Sequence, residues 1–127
     1  MIEAVLDASV ILAHLKGEPG GDLALSLIPS GQICSINLSE VVAKLIDNGD
    51  SAQLAIATVA SLQVLVFPAD VELALDAGAM RAETRRLGLS LGDGFCLALG
   101  RRTGLPVYTA DRRWAALAGS MDIRLIR

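Results

Sequence analysis

Ile2-Glu3-Ala4-Val5-Leu6-Asp7-Ala8-Ser9 is the stretch whose reading decides the fold. A short apolar run, Ile2 to Leu6, reads as a strand and ends in a carboxylate, Asp7. Ser9 to Leu15 follows as a helix, and Gly17-Glu18-Pro19-Gly20-Gly21 closes it as a loop. The alternation continues along the chain. Asp22 to Ile28 reads as a second short helix closed by Pro29 and Gly31, and Gln32 to Ile36 as a second strand. Asn37-Leu38-Ser39-Glu40 then opens a helix with Val41, Val42, Leu45 and Ile46 on its buried side, stopped by Asn48-Gly49. Ser51 to Leu62 is expected as a helix, and Val64 to Phe67 as a strand broken by Pro68. Asp70 to Leu87 is expected as one long amphipathic helix with Val71, Leu75, Ala79 and Ala82 on one face. A helix from Leu91 ends near Gly104, and Pro106 to Thr109 is a strand. Ala110-Asp111 leads into a helix through Leu117, and Asp122 to Ile126 is the last strand. Strands alternating with helices predict an α/β fold: a central parallel sheet with helices on both faces, a three-layer α/β/α sandwich. Residues 1–127 are read as a single domain, with no internal repeat or linker.

The composition agrees. Hydrophobic residues make up 53% of the chain and aromatics only 3%, so the core must be aliphatic, as in helix-covered parallel sheets. No apolar run reaches the ~18 residues of a membrane span, and the first residues lack the basic start and cleavage site of a signal peptide. Cys34 and Cys96 both lie in apolar segments and read as buried free thiols in a reducing cytoplasm. No Cys/His cluster suggests zinc. A net charge of −3 and a pI near 5.0 argue against a protein that coats nucleic acid by bulk charge. They leave a nuclease open, because a bound divalent cation and a local arginine patch can supply the positive field.

The acids carry the chemistry. Asp93 sits inside the apolar stretch Gly88-Leu89-Ser90-Leu91-Gly92-Asp93-Gly94-Phe95-Cys96-Leu97-Ala98-Leu99-Gly100. An ionised carboxylate in such surroundings costs several kcal/mol unless something meets it. One answer is structural: Ser90 and Asp93 form a capping box at a helix start. In a parallel sheet, however, every strand-to-helix connection lies at the same edge, and ligands bind there. Asp7 ends the first strand, Glu40 follows the second, Asp111 ends the fourth, and Asp93 can join them from a neighbouring helix start. Asp7 and Asp111 can also be helix caps, and Glu40 the acid of a capping box with Asn37. Capping is met as readily by Ser, Thr or Asn and gives no reason to gather mutually repelling carboxylates. A divalent cation does, and Mg²⁺ or Mn²⁺ prefers such hard oxygen ligands.

Val5-Leu6-Asp7-Ala8-Ser9, Asn37-Leu38-Ser39-Glu40-Val41, Leu89-Ser90-Leu91-Gly92-Asp93 and Tyr108-Thr109-Ala110-Asp111-Arg112-Arg113-Trp114 occur in that order across the whole chain. In this the sequence resembles the PIN-domain ribonucleases, and specifically the VapC toxins of bacterial toxin–antitoxin pairs. The resemblance implies a PIN-like fold and a Mg²⁺- or Mn²⁺-dependent endoribonuclease whose acidic quartet maps onto Asp7, Glu40, Asp93 and Asp111. It also implies a cognate antitoxin, often one that sends an arginine into the acidic pocket and displaces metal, and a homodimer. The reading beside it is metal-assisted hydrolysis of an RNA phosphodiester, with Asp7 and Asp93 as primary ligands and Glu40 and Asp111 completing the site directly or through water. Ser9 and Thr109 are candidates to hydrogen-bond the carboxylates. Arg112 and Arg113 are candidates for RNA phosphate contacts. Leu23, Leu27, Val41, Val42 and Leu45 are candidates for partner surfaces. His14 has no assigned role.

Two rivals remain. One is a non-catalytic PIN-fold binding module, against which the intact quartet argues. The other is a phosphotransfer or phosphohydrolase α/β domain. It would gather acids at the same edge, but no paired Asp-Asp, no lysine at the last strand's end and no phosphate-binding glycine loop is present.

Overall fold

A computed structural model describes residues 1–127. Five parallel strands form one sheet in the order β3-β2-β1-β4-β5. The strands are β1 (Ala4–Leu6), β2 (Gly31–Cys34), β3 (Leu65–Phe67), β4 (Val107–Thr109) and β5 (Ile123–Leu125). The helices are α1 (Ala8–Leu15), α2 (Gly21–Leu27), α3 (Ser35–Asp47), α4 (Ala52–Ser61), α5 (Val71–Ala79), α6 (Arg81–Arg86) and α7 (Leu91–Thr103). Two short 3-10 helices, Ile28–Ser30 and Arg112–Leu117, complete the chain.

The pleat of β1 sets out the layers. Ala4 and Leu6 face one way, into a core shared with α1 to α4; Val5 faces the other, into a core with α5, α7 and Trp114. Both cores are built almost wholly from aliphatic side chains, as the composition requires. Fully buried residues such as Leu6, Ile11, Leu97 and Leu99 each contribute about 1.5–3 kcal/mol of transfer free energy. This is the expected three-layer sandwich.

Three local expectations are corrected. The strand β2 ends at Cys34 and α3 begins at Ser35, so Asn37 lies within the helix and does not open it. Ser35 Oγ accepts the Ala69 N–H at 2.9 Å, tying the first turn of α3 to the chain just past β3. The expected long helix from Asp70 to Leu87 is two helices, broken at Met80. The face of α5 is also different from the one read. Leu73 and Ala77 are buried, while Val71 and Leu75 are 76% and 69% exposed. Both stripes of α5 are apolar, so periodicity alone could not choose between them, and the stripe that meets α7 is the one carrying Ala77 against Gly94.

In the strand order, β1 lies between β2, reached by one crossover, and β4, which joins on its other side. The sheet's topological switch point is therefore between β1 and β4, where an open α/β sheet leaves a crevice beyond its strand ends.

Candidate active site

Asp7 stands at that crevice, directly after β1. It occupies the N-cap position of α1 but its side chain caps nothing. Instead Oδ2 accepts the Ser9 hydroxyl at 2.7 Å and the Thr109 hydroxyl at 2.9 Å. Those hydroxyls accept in turn from the backbone N–H groups of Ala110 and Asp111, at 2.9 and 3.0 Å. The end of β4 thus holds the Asp7 carboxyl in one orientation. Asp7 is only 5% exposed. Burial pushes its pKa up to about 6, the negative charges of Asp93 and Glu40 add to the shift, and the two hydroxyls oppose it.

Glu40 lies in the second turn of α3, after β2. Asn37, fully buried, donates from Nδ2 to Glu40 Oε1 at 2.7 Å and to the Gly92 carbonyl at 2.9 Å, joining α3 to the start of α7. A Cβ on residue 92 would stand 2.7 Å from Glu40 Oε1, so glycine there is what lets the carboxylate lie against α7. Burial, and after it the charge of Asp93, raises the Glu40 pKa, while Asn37 opposes the rise.

Asp93 forms the capping box in full: Ser90 Oγ accepts the Asp93 N–H at 3.1 Å, and Asp93 Oδ2 accepts the Ser90 N–H at 2.9 Å. Burial raises its pKa against the pull of these bonds, and Asp111 adds repulsion. Capping orients this carboxylate without withdrawing it from the crevice. Asp111 follows β4 and caps the 3-10 helix through the Arg113 N–H. The Arg113 guanidinium closes on the same carboxylate and holds its pKa below the usual range.

All four acids line one cleft of about 460 Å³, together with Ala8, Ser9, Leu12, Lys44 and Arg113. Arg112 is exposed and lies outside it. His14 lines a separate hollow beside the Gly17–Gly21 loop and takes no part in the cleft. Val41 and Leu45 are core residues, which corrects their place among candidate partner surfaces; Leu23 is exposed. Cys34 and Cys96 are free, buried thiols whose pKa burial pushes up, so neither is a nucleophile. Sequence reading missed Lys44, although its place one helical turn beyond Glu40 puts it on the same face. It also missed the bridging role of Asn37.

The donor set fits a hard divalent cation. A buried carboxylate facing other carboxylates is costly without a counter-charge, and the raised pKa values of Asp7, Glu40 and Asp93 record that cost. No three of the acidic, His or Cys side chains are drawn together closely enough to grip an ion by themselves. Asp93 is tied to Ser90 and Asp111 to Arg113. Mg²⁺ takes one or two carboxylates and completes its octahedron with water and substrate oxygens, so it does not need three side chains at once.

Fold and cleft together define an α/β protein with a carboxylate-lined site at the switch point of its sheet. The model of the PIN domain family matches residues 4–120, and the chain belongs to that family. No curated protein sequence matches the chain significantly. Among solved structures, the DNA-bound VapBC of Salmonella typhimurium is similar over 100% of both chains, with a TM-score of 0.75 and 22% identity. VapBC-5 of Mycobacterium tuberculosis, a member of the VapBC family of toxin–antitoxin systems, is 26% identical over 98% of each chain, with a TM-score of 0.64. VapC20 of the same organism, a sarcin–ricin loop cleaving toxin, is 20% identical with a TM-score of 0.74, covering 95% of this chain and 98% of its own. These neighbours share the chain's fold from end to end.

Proposed function

We propose that this protein is a divalent-metal-dependent endoribonuclease and the toxin of a toxin–antitoxin pair, acting in the cytoplasm. The observation that carries the reading is Asp7: a buried carboxylate, fixed by two hydroxyls, facing Glu40, Asp93 and Asp111 across one cleft. Asp7 and Asp93 would hold the Mg²⁺ or Mn²⁺ ion directly, with Glu40 and Asp111 contributing directly or through water. When bound, the ion supplies Lewis acidity to activate water and offset charge on the phosphodiester. Ser9 and Thr109 keep Asp7 in one orientation and favour its ionised form. Lys44 and Arg113 are the cations lining the cleft, and they, with the exposed Arg112, would meet the phosphates of an RNA backbone. The antitoxin partner is supported by the neighbours solved as toxin–antitoxin complexes. Surfaces for an antitoxin and for a homodimer are offered by Leu23 and Leu25 on α2, Leu54 and Ile56 on α4, and Val71 and Leu75 on α5, all exposed.

The test is cleavage of total cellular RNA by the purified chain, with the new ends mapped. New ends at defined sites in Mg²⁺ or Mn²⁺, absent in EDTA and absent with Asp93→Asn, are expected. A wild-type chain that yields no new ends in either metal overturns the enzyme reading, and an Asp93→Asn variant that cuts at the wild-type rate removes Asp93 from the site.

A further inference from the structure

Arg113 is held differently from an arginine waiting in solvent for a phosphate. Its Nε donates to both Asp111 oxygens, at 3.0 and 3.1 Å, and Nη2 donates to Oδ2 at 2.6 Å. Its Nη1 donates to the Gly88 carbonyl at 2.6 Å, in the loop between α6 and α7. One guanidinium therefore covers both oxygens of Asp111 and bridges from the 3-10 helix to the loop leading into Ser90 and Asp93. The same side chain lines the acid cleft. It is 56% exposed, and Asp111 24%. Exposed ion pairs shift an equilibrium by up to about fivefold, and the forked geometry here puts this one towards the upper end. A phosphodiester offers the fork an alternative bidentate partner.

We propose that Arg113 is a latch exchanged between Asp111 and substrate. In the free protein it closes on Asp111 and Gly88 and withholds that carboxylate from a cation in the cleft. In the complex its guanidinium passes to an RNA phosphate, and Asp111 is released to the site. Cation and RNA then load cooperatively, each tightening the other by the same factor, as linkage requires. The inference rests on the reading of the cleft as a divalent-cation and RNA site.

The experiment is calorimetric titration of Mn²⁺ into the full chain, alone and with a short 2′-O-methylated RNA oligonucleotide that cannot be cut. Wild type, Arg113→Gln, Arg113→Lys and the charge-matched control Arg124→Gln are compared. Without oligonucleotide, Arg113→Gln is expected to bind Mn²⁺ roughly three- to fivefold tighter than wild type, the size of an exposed ion pair. Arg124→Gln, whose partners are Asp122 and Tyr108, is expected to match wild type. Adding oligonucleotide tightens Mn²⁺ binding to wild type by a larger factor than it does to Arg113→Gln, which keeps only the direct contact between cation and phosphate. Arg113→Lys, which keeps the charge and loses the fork, falls between them and serves if the glutamine variant does not fold. Unchanged or weaker Mn²⁺ binding by Arg113→Gln, or coupling to oligonucleotide undiminished by the substitution, overturns the latch and leaves the site standing. A wild type with no saturable Mn²⁺ binding overturns the site and the latch together.

Discussion

At the scale of the residue, Asp7 carries a charge the fold would rather not hold. Its pKa is near 6 in the folded protein against an ordinary 3.8, so the folded state keeps a proton that the unfolded chain releases. Stability from this group is full below about pH 4, falls as pH rises through 6, and is flat above. The metal-free protein is therefore expected to melt higher at pH 5 than at pH 7.5, by about 1.4 kcal/mol in stability from this group. Asp7→Asn keeps the shape, keeps an acceptor for Ser9 and Thr109, and removes the charge. In EDTA at pH 7.5 it is expected to be more stable than wild type, with a smaller pH dependence between 4 and 6, left to Glu40 and Asp93; melting curves across that range check it. A wild-type profile that rises with pH through this window would mean Asp7 is paired with a cation inside the protein. Much of this residue-level chemistry was legible. Asp7, Ser9 and Thr109 converge as read from strand ends alone, because a parallel sheet leaves those ends nowhere else to go. What was not legible is the partner of Asp111. An arginine two residues away can point to solvent or turn back on the carboxylate, and only the nearby Gly88 carbonyl decides it.

At the scale of the element, the site depends on close approach between α3 and α7. Gly92→Ala puts a methyl group where Glu40 Oε1 lies, 2.7 Å from the new Cβ. Alanine is the better helix former by about 1 kcal/mol. The substitution is therefore expected to leave the melting temperature unchanged or raised while cleavage falls at least tenfold; thermal melts and initial rates on the same preparations separate the two effects. A second expectation concerns α5. Leu73→Ala removes a fully buried side chain and is expected to cost about 2–5 kcal/mol. Leu75→Glu, at a position 69% exposed, is expected to change monomer stability by less than about 0.5 kcal/mol. Urea titrations at low protein concentration decide between the faces, and equal losses would restore the face read from the sequence. The sequence misread this helix because Val71, Leu73, Leu75, Ala77 and Ala79 are apolar on both sides. It misread the start of α3 because Ser35-Ile36 continues an apolar run that extended backbone and helix accept equally. By contrast, the end of α7 was plain: Gly104 adopts φ 68°, a left-handed conformation suited to glycine, and stops the helix where the glycine stands.

At the scale of the whole molecule, strands of three or four residues suffice because both faces of the sheet are covered. The strand order puts the switch point between β1 and β4, so the acids that end those strands meet there, and α3 and α7 bring Glu40 and Asp93 to the same crevice. Chain order and strand-end acids were enough to foresee the fold class and the meeting of the four acids. Of the exposed apolar side chains only Leu23 on α2 was read as surface; those of α4 and α5 are indistinguishable in sequence from core. On the proposed reading the four carboxylates share a divalent cation. The measurement that tests it most directly is the melting temperature of wild type and Asp7→Asn at pH 7.5 over a Mn²⁺ titration from an EDTA-stripped start. The account predicts a saturable rise for wild type and none for a folded Asp7→Asn. An equal rise in both proteins, or no saturable rise in wild type, would contradict it.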